Sequence, residues 1–522
     1  MAPVSSLPLH DLAPLLLRRE RQYSDIDVEL LANALRGGRE ANRRRKLMVE
    51  LVRHHSVLSR RDFIYQNHAQ RCATGLEKAY HYIKLVQDRC IDDPRDQQEL
   101  YVALGERLPL EVHRAMFIPT LEIQADNEQQ AKFAKVLPDG TFIKPKSSKL
   151  VYLTMTQGRN EKVAAQGSEG LPAEFQVLDY QNQQHALLPL IALAYAANFA
   201  GRAMTTLHDD ALTLVKTGHG AFDSQVAEVH AVSSGLKALL ADRVNDGIEQ
   251  CRRLCGGSGF LQSSNLPHLF AENVGACTFE GTFDVLVQQH ARYLLKAHAR
   301  LRHSRNSNGE IEASDDETPT SFLRYTDLYA NPRVRCNAHR AADFGNFHVL
   351  TDAFEVRAAR SIRRLADAMA GSNKDRNTCM LLMTAVSTHH AELMLLKSFI
   401  SGVYSLPSGK TKAAVAQLCQ LFGASLLVKG LGDFRQQDYL SSAQGEMVHK
   451  QLQELLPPVR RNAVRLTDSW DFTDFELNSA IGGYDGDIYR ALVEQTKREP
   501  LNAAEVPKGY EKYLRPLLHS SL

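Results

Sequence analysis

A surplus of charge of either sign is missing from these 522 residues: lysine and arginine total 62 against 60 for aspartate and glutamate, a formal net charge of +2. Nothing global therefore steers the chain toward nucleic acid or an anionic membrane surface. Cysteine is scarce and scattered, eight in all. That pattern suits a reducing compartment better than a disulfide framework. No uninterrupted apolar run reaches the roughly 18 residues of a bilayer span. The segment Met1 to Leu17 is broken by Pro3, Pro8 and Pro14 and lacks the basic start of a secretory signal. Strand signals are confined to Thr141–Ile143 and Lys149–Leu153.

What is present is helix. Hydrophobic residues make up 44% and charged residues 23% of the chain, ordinary for a soluble fold. Apolar residues recur at helical spacing over 174–202, 223–245, 280–302, 352–370, 378–401, 412–430 and 446–466. The stretch 303–320 has almost no apolar residues and reads as a linker. Residues 158–172 are weakly patterned. The expected organisation is a helical N-terminal domain over 1–133, a helical middle over 134–302, the linker 303–320, and a C-terminal helical domain over 321–522.

Two pieces of one region suggest chemistry. Gly256, Gly257 and Gly259 follow a helix and would let backbone approach a ligand, or simply cap the helix and turn the chain. Further on, Thr278-Phe279-Glu280-Gly281 opens an amphipathic helix. A glutamate there commonly answers the helix dipole. Its functional reading is a carboxylate hemmed by an aromatic ring and a glycine, whose partial burial would strengthen it as a base.

The run Cys251 to Lys296 resembles the acyl-CoA oxidase signature, C-x-x-x-C-G-G-H-G-[YF] followed by C-T-[FY]-E-G; Cys251, Cys255, Gly256, Gly257, Gly259, Phe260 and Cys277 to Gly281 match. The resemblance extends to Val136–Met155, Leu178–Gln181, Tyr484-Asp485-Gly486 and, at the front, Asn42–Lys46 and Met116–Thr120. It implies a mainly α architecture of oxidase-like helical bundles. It also implies that Glu280 takes the α-proton of a fatty acyl-CoA while FAD accepts hydride and passes electrons to oxygen, giving trans-2-enoyl-CoA and hydrogen peroxide. The developing enolate then needs hydrogen bonds at the thioester oxygen, and a base on the substrate face away from the flavin. By the same resemblance Gly256, Gly257, Gly259 and Thr282 approach FAD, partly across the interface of a homodimer.

The chain also departs from that family. A β-domain is expected between the N-terminal helices and the middle ones, yet Gln130–Phe133 runs almost directly into Pro138-Asp139-Gly140. Its W-W-P-G type segment has no counterpart, the only tryptophan being Trp470. The R-Y-S-x-x-R-x-Q helix is replaced by Thr156–Pro172, histidine by Ser258, and asparagine by Phe283. An alternative reading is therefore an impaired oxidase relative acting as a helical dimerisation or interaction partner; a transcript spliced across the joins near Phe133 and Met155 is another. The ending Ser520-Ser521-Leu522 is an imperfect form of the peroxisomal tripeptide. The family favours the peroxisome, with the cytoplasm the other location. Arg43–Lys46 reads as a solvated helix face rather than a nucleic-acid patch, and no metal site is expected of Cys251 and Cys255, His54 and His55, or His389 and His390.

Overall fold

A computed structural model describes residues 9–109, 176–217, 222–303, 325–329, 331–371 and 375–519. The strand-like stretches at 141–143 and 149–153, the weakly patterned 158–172 and, apart from His303 at the end of a helix, the linker 303–320 lie outside these. Among the described residues there is helix and no strand. The principal helices are α1 (Leu9–Tyr23), α2 (Val28–Arg36), α3 (Arg39–Arg53), α4 (His68–Asp88), α5 (Pro94–Ala103), α6 (Gln181–Thr217), α7 (Phe222–Leu254), α8 (Leu266–Val274) and α9 (Phe283–His303). They continue with α10 (Phe347–Gly371), α11 (Met380–Ser405), α12 (Lys410–Lys429), α13 (Ser442–Asp468) and α14 (Ile488–Arg498). Local chemistry fixes several ends. Asp27 caps α2 by accepting from Leu30 N at 3.0 Å, and Ser441 with Gln444 forms a capping box for α13.

Helices α6, α7 and α9–α13 close around one large core, joined by Ile26, Leu31 and Leu35 from the front of the chain. A second core links α3, α4 and α5 through Met48, Val52, Ala79, Tyr82, Leu100 and Tyr101. The periodic segments form helices, most ends lying within a few residues of those expected, but the helix expected over 174–202 runs Gln181–Thr217 and that expected over 223–245 runs Phe222–Leu254. Among the described residues three helical stretches, Gln181–Thr213, Asn377–Ser405 and Lys410–Lys429, are long and apolar enough to cross a membrane by length and composition. The expectation from uninterrupted runs was too strict, because isolated polar residues do not lower a helix's average enough. More than half of the most apolar 18-residue window of each is buried in the protein, and a helix apolar on every side is what a large core requires.

The basic run is not simply a solvated face. Arg45 is buried, with its guanidinium on the Glu476 carboxylate and 3.1 Å from the Asp471 carbonyl, and Lys46 pairs with Asp471 at 2.7 Å. Arg43 and Lys46 are exposed, Arg44 is half-buried, and only Arg45 is buried. None of the eight cysteines is in a disulfide; Cys251 and Cys255 are packed into the core.

Candidate functional site

The Glu280 turn is built on one face of α7. Residues Lys237 and Ala241, four apart, lie one helical turn from each other on that face. Lys237 Nζ donates to the Phe279 carbonyl at 2.9 Å and also to the Gly281 carbonyl, so it bonds the carbonyls of the residues before and after Glu280. The Cys277 thiol donates to the Ala241 carbonyl at 3.6 Å. Beneath the turn, Ala238 packs with Leu286, Val287 and Phe283 of α9 in a small separate core. Burial pushes the Lys237 ammonium below its usual value, partly opposed by the nearby Glu280 charge.

The turn itself differs from the expected helix start. Glu280 precedes α9 by three residues and has φ 61°, the left-handed region that non-glycine residues enter at a cost. Gly281 follows at φ 108°, and a Cβ there would come 2.8 Å from Leu286. Gly275 is equally constrained, since its Cβ would lie 3.0 Å from the Phe279 ring. The first turn of α9 is closed instead by Leu286 N on the Thr282 carbonyl at 3.1 Å. Glu280 is exposed, so the partial burial expected of it is not provided by the described residues. The aromatic neighbour is present, and the Arg107 guanidinium lies over the Phe279 ring at 5.1 Å. Arg107 is set by its own backbone, whose N–H donates to Glu272 at 3.0 Å, while His268 contacts the same carboxylate at 3.2 Å.

The three glycines are not one kind of feature. They form a short helix, Gly256–Phe260, rather than an open turn. Gly256 has φ 56°, and neither it nor Gly257 has an atom within 4 Å of an added Cβ, so both present bare backbone outward. Gly259 is needed for packing: its Cβ would fall 1.9 Å from the Arg252 carbonyl oxygen. The following loop is pinned by the C-terminal region, with Asn265 Nδ2 donating to Leu477 O at 2.8 Å and Ala480 N to Ser263 O at 2.8 Å.

Glu280 and Thr282 are thus brought together, but the glycines are not brought to them. From Lys237 to the end of α7 at Leu254 the helix rises about 26 Å at 1.5 Å per residue. Lys237 and Arg107 went unnoticed in the sequence. Lys237 carried no local signal, because its carbonyl partners are 42 and 44 residues away. No group of three metal-ligating side chains occurs among the described residues.

Comparison with known proteins follows this geometry. The family model "Acyl-coenzyme A oxidase N-terminal" matches residues 27–139, "Acyl-CoA oxidase, C-alpha1 domain" residues 152–295, and "Acyl-CoA oxidase" residues 346–519. Peroxisomal acyl-coenzyme A oxidase 2 of Rattus norvegicus is 32% identical over 485 residues, 86% of this chain and 69% of that protein. Peroxisomal acyl-coenzyme A oxidase 1 of Arabidopsis thaliana is 37% identical over 354 residues, 67% of this chain. The match spans only about half, 51%, of that relative, and 61% of the corresponding rat oxidase 1. In fold, Arabidopsis thaliana acyl-CoA oxidase 1 superposes with a TM-score of 0.84 at 24% identity, covering 97% of this chain and 99% of the other. Acyl-CoA oxidase-1 of Caenorhabditis elegans, complexed with FAD and ATP, gives 0.81 at 21%, covering 97% and 98%.

Proposed function

The chain belongs to the acyl-CoA oxidase family, and from that membership we propose that Glu280 is the base of a fatty acyl-CoA oxidation. The observation that carries this reading is the Glu280 turn. A carboxylate is projected from a backbone held on both sides by Lys237, beside an aromatic ring and a glycine that tolerates no side chain. A side chain on so constrained a backbone keeps its position with little reorganisation, which proton abstraction from a weakly acidic α-carbon requires. The Glu280 N–H, in the same turn, is the main-chain donor that would meet the thioester oxygen and stabilise the enolate.

FAD, when bound, supplies the acceptor for the β-hydride and the route of electrons to oxygen. The outward backbone of Gly256 and Gly257 and the exposed Thr282 fit a flavin contact; Gly259 has a packing role sufficient to explain it. The separation along α7 supports taking the glycines and Glu280 from two copies in a homodimer. The products are trans-2-enoyl-CoA and hydrogen peroxide, and the relatives' names support a peroxisomal setting.

A second reading rests on a specific observation. The N-terminal family match ends at 139 and the next begins at 152, so only a short connection stands where the resemblance implies a β-domain. A loss of most flavin contacts, each factor of ten being 1.4 kcal/mol, favours a helical partner subunit instead of an independent enzyme. One experiment separates the two: the visible spectrum of the purified chain with FAD supplied in excess and then removed, followed by anaerobic addition of a long-chain acyl-CoA. A retained flavin band that bleaches supports the oxidase. A protein that retains no flavin is the partner subunit.

A further inference from the structure

The conformation of Glu280 is unusual for its residue type, and something must hold it. A non-glycine residue in the left-handed region is strained and persists only where its surroundings over-determine it. Of the groups around the turn, Gly275, Gly281 and the Phe283–Leu286–Val287 packing permit the conformation. Lys237 acts directly on it, because its ammonium ties together the carbonyls that precede and follow Glu280. The Phe279 carbonyl lies in the same peptide plane as the Glu280 N–H, and the Gly281 carbonyl lies two peptides further on, so one donor on both fixes the plane that carries the N–H and closes the chain around Glu280 from both sides, which restricts the direction of its side chain.

We propose that Lys237 is the positioning residue of this site, a clasp from α7 that fixes the Glu280 backbone and aims its carboxylate without touching substrate. The proposal rests on the reading of Glu280 as the base. The ammonium is suited to this work by having three donors on a compact head, so two can be given to carbonyls. Its partly buried setting strengthens these bonds relative to the same contacts in water. Ala241, one helical turn on, receives the Cys277 thiol and fixes the entry to the turn from the same face.

The test uses the full chain in four forms: wild type, Lys237→Met, Lys237→Arg and Glu280→Gln. Amide hydrogen exchange is followed by mass spectrometry on the peptide 275–286, and acyl-CoA-dependent peroxide formation is measured with excess FAD. Lys237→Met is expected to raise exchange in that peptide at least tenfold with α10–α13 unchanged, and to lower kcat 10- to 100-fold with KM within twofold. Lys237→Arg, whose fork spans two carbonyls, should restore most of both. If Lys237→Met does not fold, Lys237→Gln replaces it, with the same readouts. Wild-type exchange and wild-type kcat in the Lys237 variants overturn the clasp while leaving the base in place. Full activity in Glu280→Gln, or no activity in wild type, defeats the parent reading instead, and exchange at 275–286 then decides the clasp alone.

Discussion

Arg21 of α1 grips Asp468 at the end of α13 through two parallel hydrogen bonds, Nε to Oδ2 at 2.8 Å and Nη2 to Oδ1 at 3.2 Å. Its remaining nitrogen donates to the Tyr484 carbonyl at 2.9 Å, and the Tyr484 ring lies 3.6 Å from the guanidinium. Both charges are almost fully buried. Replacing Asp468 by alanine removes the carboxylate bonded by two of the buried guanidinium's nitrogens, and should cost about 3–5 kcal/mol. Urea unfolding would register this as a lower midpoint with an unchanged slope. A loss under about 1 kcal/mol would mean that water replaces the carboxylate.

The glycines of the Gly256–Phe260 helix should separate by experiment. Gly259→Ala forces a methyl onto the Arg252 carbonyl and should cost at least about 2 kcal/mol or prevent folding. Gly257→Ala meets nothing and should stay within about 0.5 kcal/mol of wild type in thermal unfolding. If Gly257 meets flavin as proposed, the same variant should retain several-fold less FAD after desalting.

Helices α7 and α9 touch at Gly235, where an added Cβ would come 2.1 Å from His290 Nδ1. His290 is neutral there, burial holding it down at about 3, and the same nitrogen contacts Ser387 Oγ at 2.9 Å. Gly235→Ala should destabilise by about 1–3 kcal/mol. Adding His290→Ala should recover part of that loss, with a coupling energy of about 0.5–3 kcal/mol in a double-mutant cycle. Strict additivity would contradict the contact.

Glu228 on α7 is buried against the Tyr293 side of α9, and desolvation raises its carboxyl from 4.5 to about 7. The folded protein therefore holds this proton more tightly than the unfolded chain. Its stability falls as pH rises from about 4.5 to about 7 and stays reduced above that range. Glu228→Gln should match wild type near pH 4.5 and exceed it by about 2 kcal/mol at pH 8, allowing for residual solvent screening. Denaturant titrations at the two pH values check the sign; a gap that is the same at both would refute it.

The helices could be read from sequence because their apolar faces are repeated many times over; the segment expected at 412–430 forms Lys410–Lys429. Short-range backbone geometry was harder. Periodicity carried through Glu280 as though it were helical, whereas the left-handed turn depends on an ammonium 42–44 residues upstream. Arg45 illustrates the same limit. A basic residue in a basic run looks solvated until Glu476, 431 residues later, is folded against it. The motif pointed to Glu280 as the proposed base, and no sequence pattern pointed to Lys237.

The pairing of α1 with α13 has a consequence for biosynthesis. A ribosome adding about 5–20 residues per second delivers Asp468 roughly 20–90 s after Arg21. For that interval the N-terminal helix carries a guanidinium and a row of leucines with no finished surface to receive them. A chaperone that holds nascent apolar helices would have a long task at α1, and release would wait for the emergence of α13.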